Sequence, residues 1–200
     1  MSAALFFKRF LSRPMQVASI VPSSKVLIDR VAGKFDFSVP RIIAEFGPGE
    51  GCHTREIVRR MHPESRLLLF ELDPELANHL RHHFREDPRI SVLNTDASNL
   101  PDELAKLGIP HCDYVVSGIP FSTMEIKKKR ILLQRIFESL APNAQSAFII
   151  YQVTNELVGH CKIFPRTKSE YCLQNIPPMF VTVFFKQALN GASHNGNGKH

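Results

Sequence analysis

No stretch of the 200-residue sequence approaches the roughly 18 consecutive apolar residues that a membrane-crossing helix needs. Cysteine is scarce. Cys52, Cys112, Cys161 and Cys172 are widely spaced and form no Cys-x-x-Cys pair. This argues against a disulfide framework or a zinc site and fits a reducing cytosol. The first twenty residues have no continuous apolar core, because basic residues interrupt the apolar ones, so no signal peptide is expected. Internal repeats are absent. Hydrophobic residues make up 44% and charged residues 22%, which excludes disorder or a fibrous architecture for the chain as a whole.

Acidic charge is what the N-terminal segment has least of. Residues 1–35 carry Lys8, Arg9, Arg13, Lys25, Arg30 and Lys34 against Asp29 alone. Six basic groups minus one acid give +5 of the formal net charge of +6. The anionic partner that this excess implies is therefore expected at the N-terminal segment. Residues 3–14 read as an amphipathic helix ended by Pro14. Ala3, Phe6, Phe7, Phe10 and Leu11 share one arc, and Lys8, Arg9, Ser12 and Arg13 share the other, with Leu5 as the exception. Such a helix suits an anionic bilayer interface. A helix packed on the sheet edge, or a dimer contact, is the alternative.

Pro22-Ser23-Ser24 marks a second helix start, and Gly33 its stop. From Arg41 the pattern alternates between strands and helices. Strands are expected at 41–46, 66–71, 90–93, 111–117 and 145–151. Helices are expected from Cys52 to about Arg60, from Pro74 to about Phe84, and over 124–140. Two final strands, 169–175 and 179–186, flank Pro177-Pro178 and are expected to pair antiparallel. The alternation predicts an α/β, doubly wound sheet of about seven strands, last strand antiparallel, with an N-terminal helical extension. The organisation read from this is 1–35 as N-terminal amphipathic or lid helices, 36–187 as the α/β domain and 188–200 as a disordered tail.

Three features fall at the ends of successive strands, where open α/β sheets bind ligands. The first is Glu45-Phe46-Gly47-Pro48-Gly49-Glu50-Gly51, a turn that brings backbone close to a ligand ahead of a helix start. Its G-x-G-x-G spacing is not the dinucleotide fingerprint, since Cys52 takes the third-glycine position. No Gly-Lys-Ser/Thr ending makes it a P-loop. The second is Glu71, placed to accept bonds from both hydroxyls of a ribose. The third is Asn94-Thr95-Asp96-Ala97, where a carboxylate would meet an adenine amino group or else cap a turn. His79, His82 and His83 are expected to be exposed, and no metal is expected.

Together these residues resemble the class I S-adenosylmethionine-dependent methyltransferases, over roughly residues 41–186. The resemblance implies a Rossmann-like domain with S-adenosyl-L-methionine as cofactor. It places Glu45 and Gly47, Gly49 and Gly51 at the methionine part, with His53 and Thr54 opening the helix beneath. It places Glu71 at the ribose, Leu72 on the adenine, and Asp96 with Ala97 reading the base.

Ser117-Gly118-Ile119-Pro120-Phe121-Ser122 narrows the class. Methyltransferases of exocyclic base amines commonly carry a leading Asn or Asp here, and this chain has Ser117. The segment is similar to the Ser-Gly-Leu-Pro stretch of bacterial phospholipid N-methyltransferases. Arg13-Pro14-Met15, Ile20-Val21-Pro22-Ser23-Ser24 and Asn175-Ile176-Pro177-Pro178 are similar to further stretches of that family. The resemblance implies stepwise methylation of phosphatidylethanolamine towards phosphatidylcholine at the membrane surface. It implies a cytoplasmic protein peripherally associated with the inner membrane. Phe6, Phe7, Lys8, Arg9, Phe10 and Arg13 would meet an anionic membrane surface, and Phe121 would wall the headgroup pocket. Ser117, which also borders the cofactor, the Gly118 carbonyl or Tyr151 would orient the amine or pass on its proton. Lys127-Lys128-Lys129-Arg130 opposes a helix dipole and hints at a phosphate partner, or is a solvated face. An rRNA adenine N-methyltransferase and a small-molecule methyltransferase remain alternatives, although nucleic acid is not the expected partner.

Overall fold

The computed structural model describes residues 23–187. The expected amphipathic helix, with Phe6, Phe7, Lys8, Arg9, Phe10 and Arg13, and the C-terminal tail lie outside the described residues. Helix α1 (Lys25–Ala32) starts where the Ser24 side chain accepts a bond from the Leu27 amide. It stops at Gly33, whose φ of −68° shows that the stop does not use glycine's left-handed freedom.

Seven strands then alternate with helices. In chain order they are β1 (Ile42–Phe46), α2 (Cys52–Arg60), β2 (Arg66–Phe70), α3 (Pro74–His83), β3 (Ile90–Leu93), α4 (Leu100–Lys106), β4 (Tyr114–Ser117), α5 (Ile126–Ser139), β5 (Ala147–Gln152), α6 (Leu157–His160), β6 (Arg166–Cys172) and β7 (Met179–Phe185). The sheet order is β3-β2-β1-β4-β5-β7-β6. Strands β1 to β5 are parallel, and β7 runs antiparallel to both β5 and β6. The order reverses between β1 and β4, which opens the crevice of a doubly wound sheet at their carboxyl ends.

Both faces of the sheet are covered, so β1 and β2 read as continuous apolar runs rather than alternating ones. Leu67 and Leu69 point to the face packed by Leu27, Val31, Ile57 and Leu80 of α1 to α3. Leu68 and Phe70 point to the opposite face, with Leu104, Leu133 and Ile136 of α4 and α5.

The structure differs from expectation in three places. A short 3-10 turn (Ala97–Asn99) and α4 follow β3, where no helix is expected. The signal was present: Pro101 opens the helix and Asp102 and Glu103 fill its first turn. Strand β6 begins three residues before the expected Ser169. It is an edge strand with mostly exposed polar residues, so it lacks the alternation that marks a half-buried strand. The single turn α6 is too short to carry a helical period.

Candidate active site

The carboxyl ends of β1, β2 and β4 bring Glu45, Glu71 and Ser117–Gly118 to one edge of the sheet. Between β1 and α2, Gly47, Gly49 and Gly51 all adopt left-handed φ values of 64°, 57° and 80°. A side chain at Gly49 would meet nothing within 4 Å, so this part of the turn faces open space. A side chain at Gly51 would crowd Leu80 at 3.1 Å, so that glycine serves helix packing. No side chain caps α2, and its free amides face the same crevice.

Glu71 is anchored on both oxygens. One accepts from the Gly49 amide at 3.1 Å and the other from the Asp73 amide at 3.0 Å. The glycine turn and the end of β2 are thereby locked together by one carboxylate. Asn94 adds a second lock, donating from Nδ2 to the carbonyls of Glu71 at 2.9 Å and Leu72 at 3.0 Å. The sequence alone points to no role for Asn94. Its signal was an amide directly after a strand, next to the acidic residue. Leu72 stands 68% exposed, an aliphatic side chain left open beside Glu71. Asp96 is exposed and accepts from the Ser98 amide at 2.8 Å, which caps the 3-10 turn, while Ala97 is buried.

Beneath the glycine turn, Glu45 is 1% exposed. Its Oε2 accepts from the Thr54 hydroxyl at 2.8 Å, and its Oε1 is buried without a partner. Burial, aided by the charge of Glu71 and opposed by the Thr54 bond, pushes the Glu45 carboxyl up to about 7. His53 is also buried. Its Nε2 lies 3.0 Å from Ser23 Oγ, its Nδ1 is unpaired, and burial lowers it to about 4. Its ring stacks on Tyr151 at 4.2 Å between centroids. Burial raises the Tyr151 phenol well above its ordinary value. The Tyr151 hydroxyl occupies the space over Gly118, only 2.5 Å from where a side chain there would begin.

Two expected site residues have other duties. Phe121 is fully buried, edge-on to Phe148 at 5.7 Å, so its ring presents no face to a headgroup. Core packing claims it because the 3-10 turn Phe121–Thr123 tucks it under α5. Ser117 is also fully buried, and its Oγ accepts from the Ile119 amide at 3.1 Å. The oxygen thereby supports that turn, and the O–H remains a donor. Gln152, to which the sequence points no site role, donates to the Ile119 carbonyl at 2.8 Å. Buried Asn175 accepts from the Ser24 amide at 2.8 Å. The Pro-Ser-Ser and Asn-Ile-Pro-Pro stretches, about 150 residues apart in the chain, are thus in direct contact beside His53.

The sequence model of the family described as "Ribosomal RNA adenine dimethylase" matches residues 18–163. An "Ornithine lipid N-methyltransferase" of Singulisphaera acidiphila is 32% identical over 139 residues, covering 70% of this chain and 72% of that protein. A "Ribosomal RNA small subunit methyltransferase A" of Acaryochloris marina is 35% identical over 127 residues, which is 61% of this chain but 45% of that protein. Among solved structures, a precorrin-6y C5,15-methyltransferase of Geobacter metallireducens superposes with a TM-score of 0.63 at 13% identity, over 82% of this chain and 89% of that one. That likeness concerns the fold alone. The chain therefore belongs to the ribosomal RNA adenine dimethylase family of class I methyltransferases and is an S-adenosylmethionine-dependent N-methyltransferase.

Proposed function

We propose that this enzyme methylates the amine of phosphatidylethanolamine, and then its mono- and dimethyl forms, at a membrane surface. The observation that carries this reading is the extent of the match to a lipid N-methyltransferase, along about seven tenths of both chains. The Ser117-Gly118-Ile119-Pro120 segment supports it, because the amide that base-amine enzymes commonly place at its head is missing.

The residues fit the cofactor. Glu71 is held by two amides and keeps lone pairs for the ribose hydroxyls. Leu72 offers an apolar face for adenine, and Asp96 beside Ala97 would read the base edge. The open space over Gly49 admits a ligand against the backbone. The unpaired Oε1 of Glu45 suits the ammonium of a methionine tail, with Thr54 holding the other oxygen in place. S-adenosylmethionine supplies a methyl group on a sulfonium already activated for displacement.

The protein's share of the work is positioning and desolvation. The substrate amine must be neutral to attack, so it has to lose a proton. The Gly118 carbonyl and the Tyr151 hydroxyl are the groups assigned to orient it. With its phenol shifted upward, Tyr151 stays protonated and acts as a hydrogen-bonding group rather than as a phenolate. His53, neutral at physiological pH, fixes the Tyr151 ring by stacking.

A second reading has its own support: the family description and the match to an rRNA methyltransferase point to an adenine amine. One experiment separates the two. Purified protein is incubated with methyl-labelled S-adenosylmethionine, mixed phosphatidylethanolamine and phosphatidylglycerol vesicles, and small-subunit rRNA, with ornithine lipid in a parallel arm. Label in the phosphatidylethanolamine fraction is expected. Label in ornithine lipid alone replaces the substrate, and label in the RNA alone replaces the reading.

A further inference from the structure

Each strand from β1 to β5 ends at the edge that holds the glycine turn and Glu71. Strand β6 ends there too, because β5 and β6 are both antiparallel to β7. The β6–β7 connection therefore sits on the same rim as the site. It carries Leu173 and Ile176, which are 68% and 72% exposed. These side chains do not belong to a loose loop. Buried Asn175 between them accepts from the Ser24 amide and donates to the Pro177 carbonyl, both at 2.8 Å. A fixed backbone thus presents two large aliphatic side chains outward, forgoing the burial they would otherwise seek. Val26 and Ile126, 42% and 58% exposed, open the helices α1 and α5 that also start from this rim.

The same rim is cationic where α5 begins. Lys127 and Lys128 are exposed, and the acid at this helix start is the exposed N-cap residue Glu125, whose side chain makes no capping bond. Positive charge at a helix start opposes the dipole. Among the described residues no carboxylate pairs with either lysine, whereas Lys129 turns inward to Glu156 at 3.8 Å. Glu125 offsets one of these charges, and an external anion would offset the rest.

We propose that this rim docks on an anionic lipid bilayer, with Leu173 and Ile176 entering the interface and Lys127 and Lys128 meeting lipid phosphates. Exposed aliphatics interleaved with lysines complement a bilayer surface, whereas single-stranded nucleic acid is gripped through aromatic stacking. The proposal rests on the lipid reading only in taking this surface to be the side from which substrate enters.

The chain has no tryptophan, so an introduced one reports from a single position. Full-length Ile176→Trp is mixed with phosphatidylethanolamine vesicles containing phosphatidylglycerol. Its emission is expected to shift to shorter wavelength and to be quenched by brominated acyl chains. Val39→Trp, at an exposed position ahead of β1 on the opposite edge, is expected to show neither change. Lys127→Ala with Lys128→Ala should raise the lipid concentration for half-maximal binding by about thirtyfold, and added salt should also raise it. The proposal is overturned if Ile176→Trp stays silent while vesicles sediment the protein. It is also overturned if Val39→Trp responds equally, or if structured RNA moves the emission and vesicles do not. Methyl transfer to detergent-dispersed phosphatidylethanolamine is followed in parallel. Its absence with the Ile176→Trp shift intact removes the lipid substrate and leaves the docking surface standing. Its presence with a silent Ile176→Trp does the reverse.

Discussion

Glu71 and Glu45 lie at the same edge of the sheet, yet their surroundings set them apart. Glu71 is tied to backbone amides on both oxygens, while Glu45 keeps one oxygen buried and unpaired. Glu71→Ala should weaken cofactor binding at least about 100-fold, as expected for two lost charge-assisted hydrogen bonds. Calorimetric titration measures this, with the circular dichroism spectrum retained as the sign that the fold survives. Unchanged affinity would remove Glu71 from the ribose. For Glu45 the sign of the linkage is definite. Its folded value near 7 lies above the unfolded 4.5, so the folded protein holds the proton more tightly. The associated stability is complete below about pH 4.5 and is lost as pH rises through 7. Glu45→Gln should therefore match the wild type at pH 4 without cofactor and exceed it by roughly 3 kcal/mol at pH 8. Denaturant melts at the two pH values test this, and an equal difference at both would contradict it.

At the scale of elements, the β4–α5 segment is shaped by what surrounds it. Gly118 has Tyr151 over it and the Gly47 carbonyl 3.4 Å from where a side chain would start. Gly118→Ala should cost about 1–3 kcal/mol through overpacking and lower kcat at least tenfold. Removing the obstructing hydroxyl with Tyr151→Phe in the same chain should recover part of the lost melting temperature, since the ring carbon stays at 3.1 Å. A double variant no more stable than Gly118→Ala would show that the clash is not the cause. The order of elements and the glycine turn were legible in the sequence because apolar runs, caps and turn residues act locally. Glu71 at the end of β2 was legible for the same reason. The role expected for Phe121 was not, since a Pro-Phe pair after a strand reads alike whether the ring faces a ligand or the core. Ser117 shows a related limit: a hydroxyl at a strand end gives no sign that its oxygen will also support the next turn.

For the whole molecule, what escaped the sequence was long-range. Insertion of β7 between β5 and β6 depends on pairing partners that no local pattern encodes. The Ser24–Asn175 contact joins segments 151 positions apart. Polar β6 was read late because its position at the sheet edge, not its composition, makes it a strand. Charge is also a whole-molecule property. Lys8, Arg9 and Arg13 precede the described residues, and each basic residue near an anionic surface contributes about 1 kcal/mol. Deleting residues 1–14 should therefore weaken co-sedimentation with phosphatidylglycerol vesicles on the order of 100-fold. Equal sedimentation of the full-length and shortened chains would refute a membrane role for that segment.

If the proposed function holds, the amine methylated by this enzyme belongs to a membrane lipid. Lipid mass spectrometry of a bacterial host that makes no N-methylated lipid tests it most directly, with and without the expressed chain. New species heavier than phosphatidylethanolamine by one to three methyl substitutions are expected, absent when Glu71→Ala is expressed. An unchanged lipid profile together with newly methylated small-subunit rRNA would contradict it.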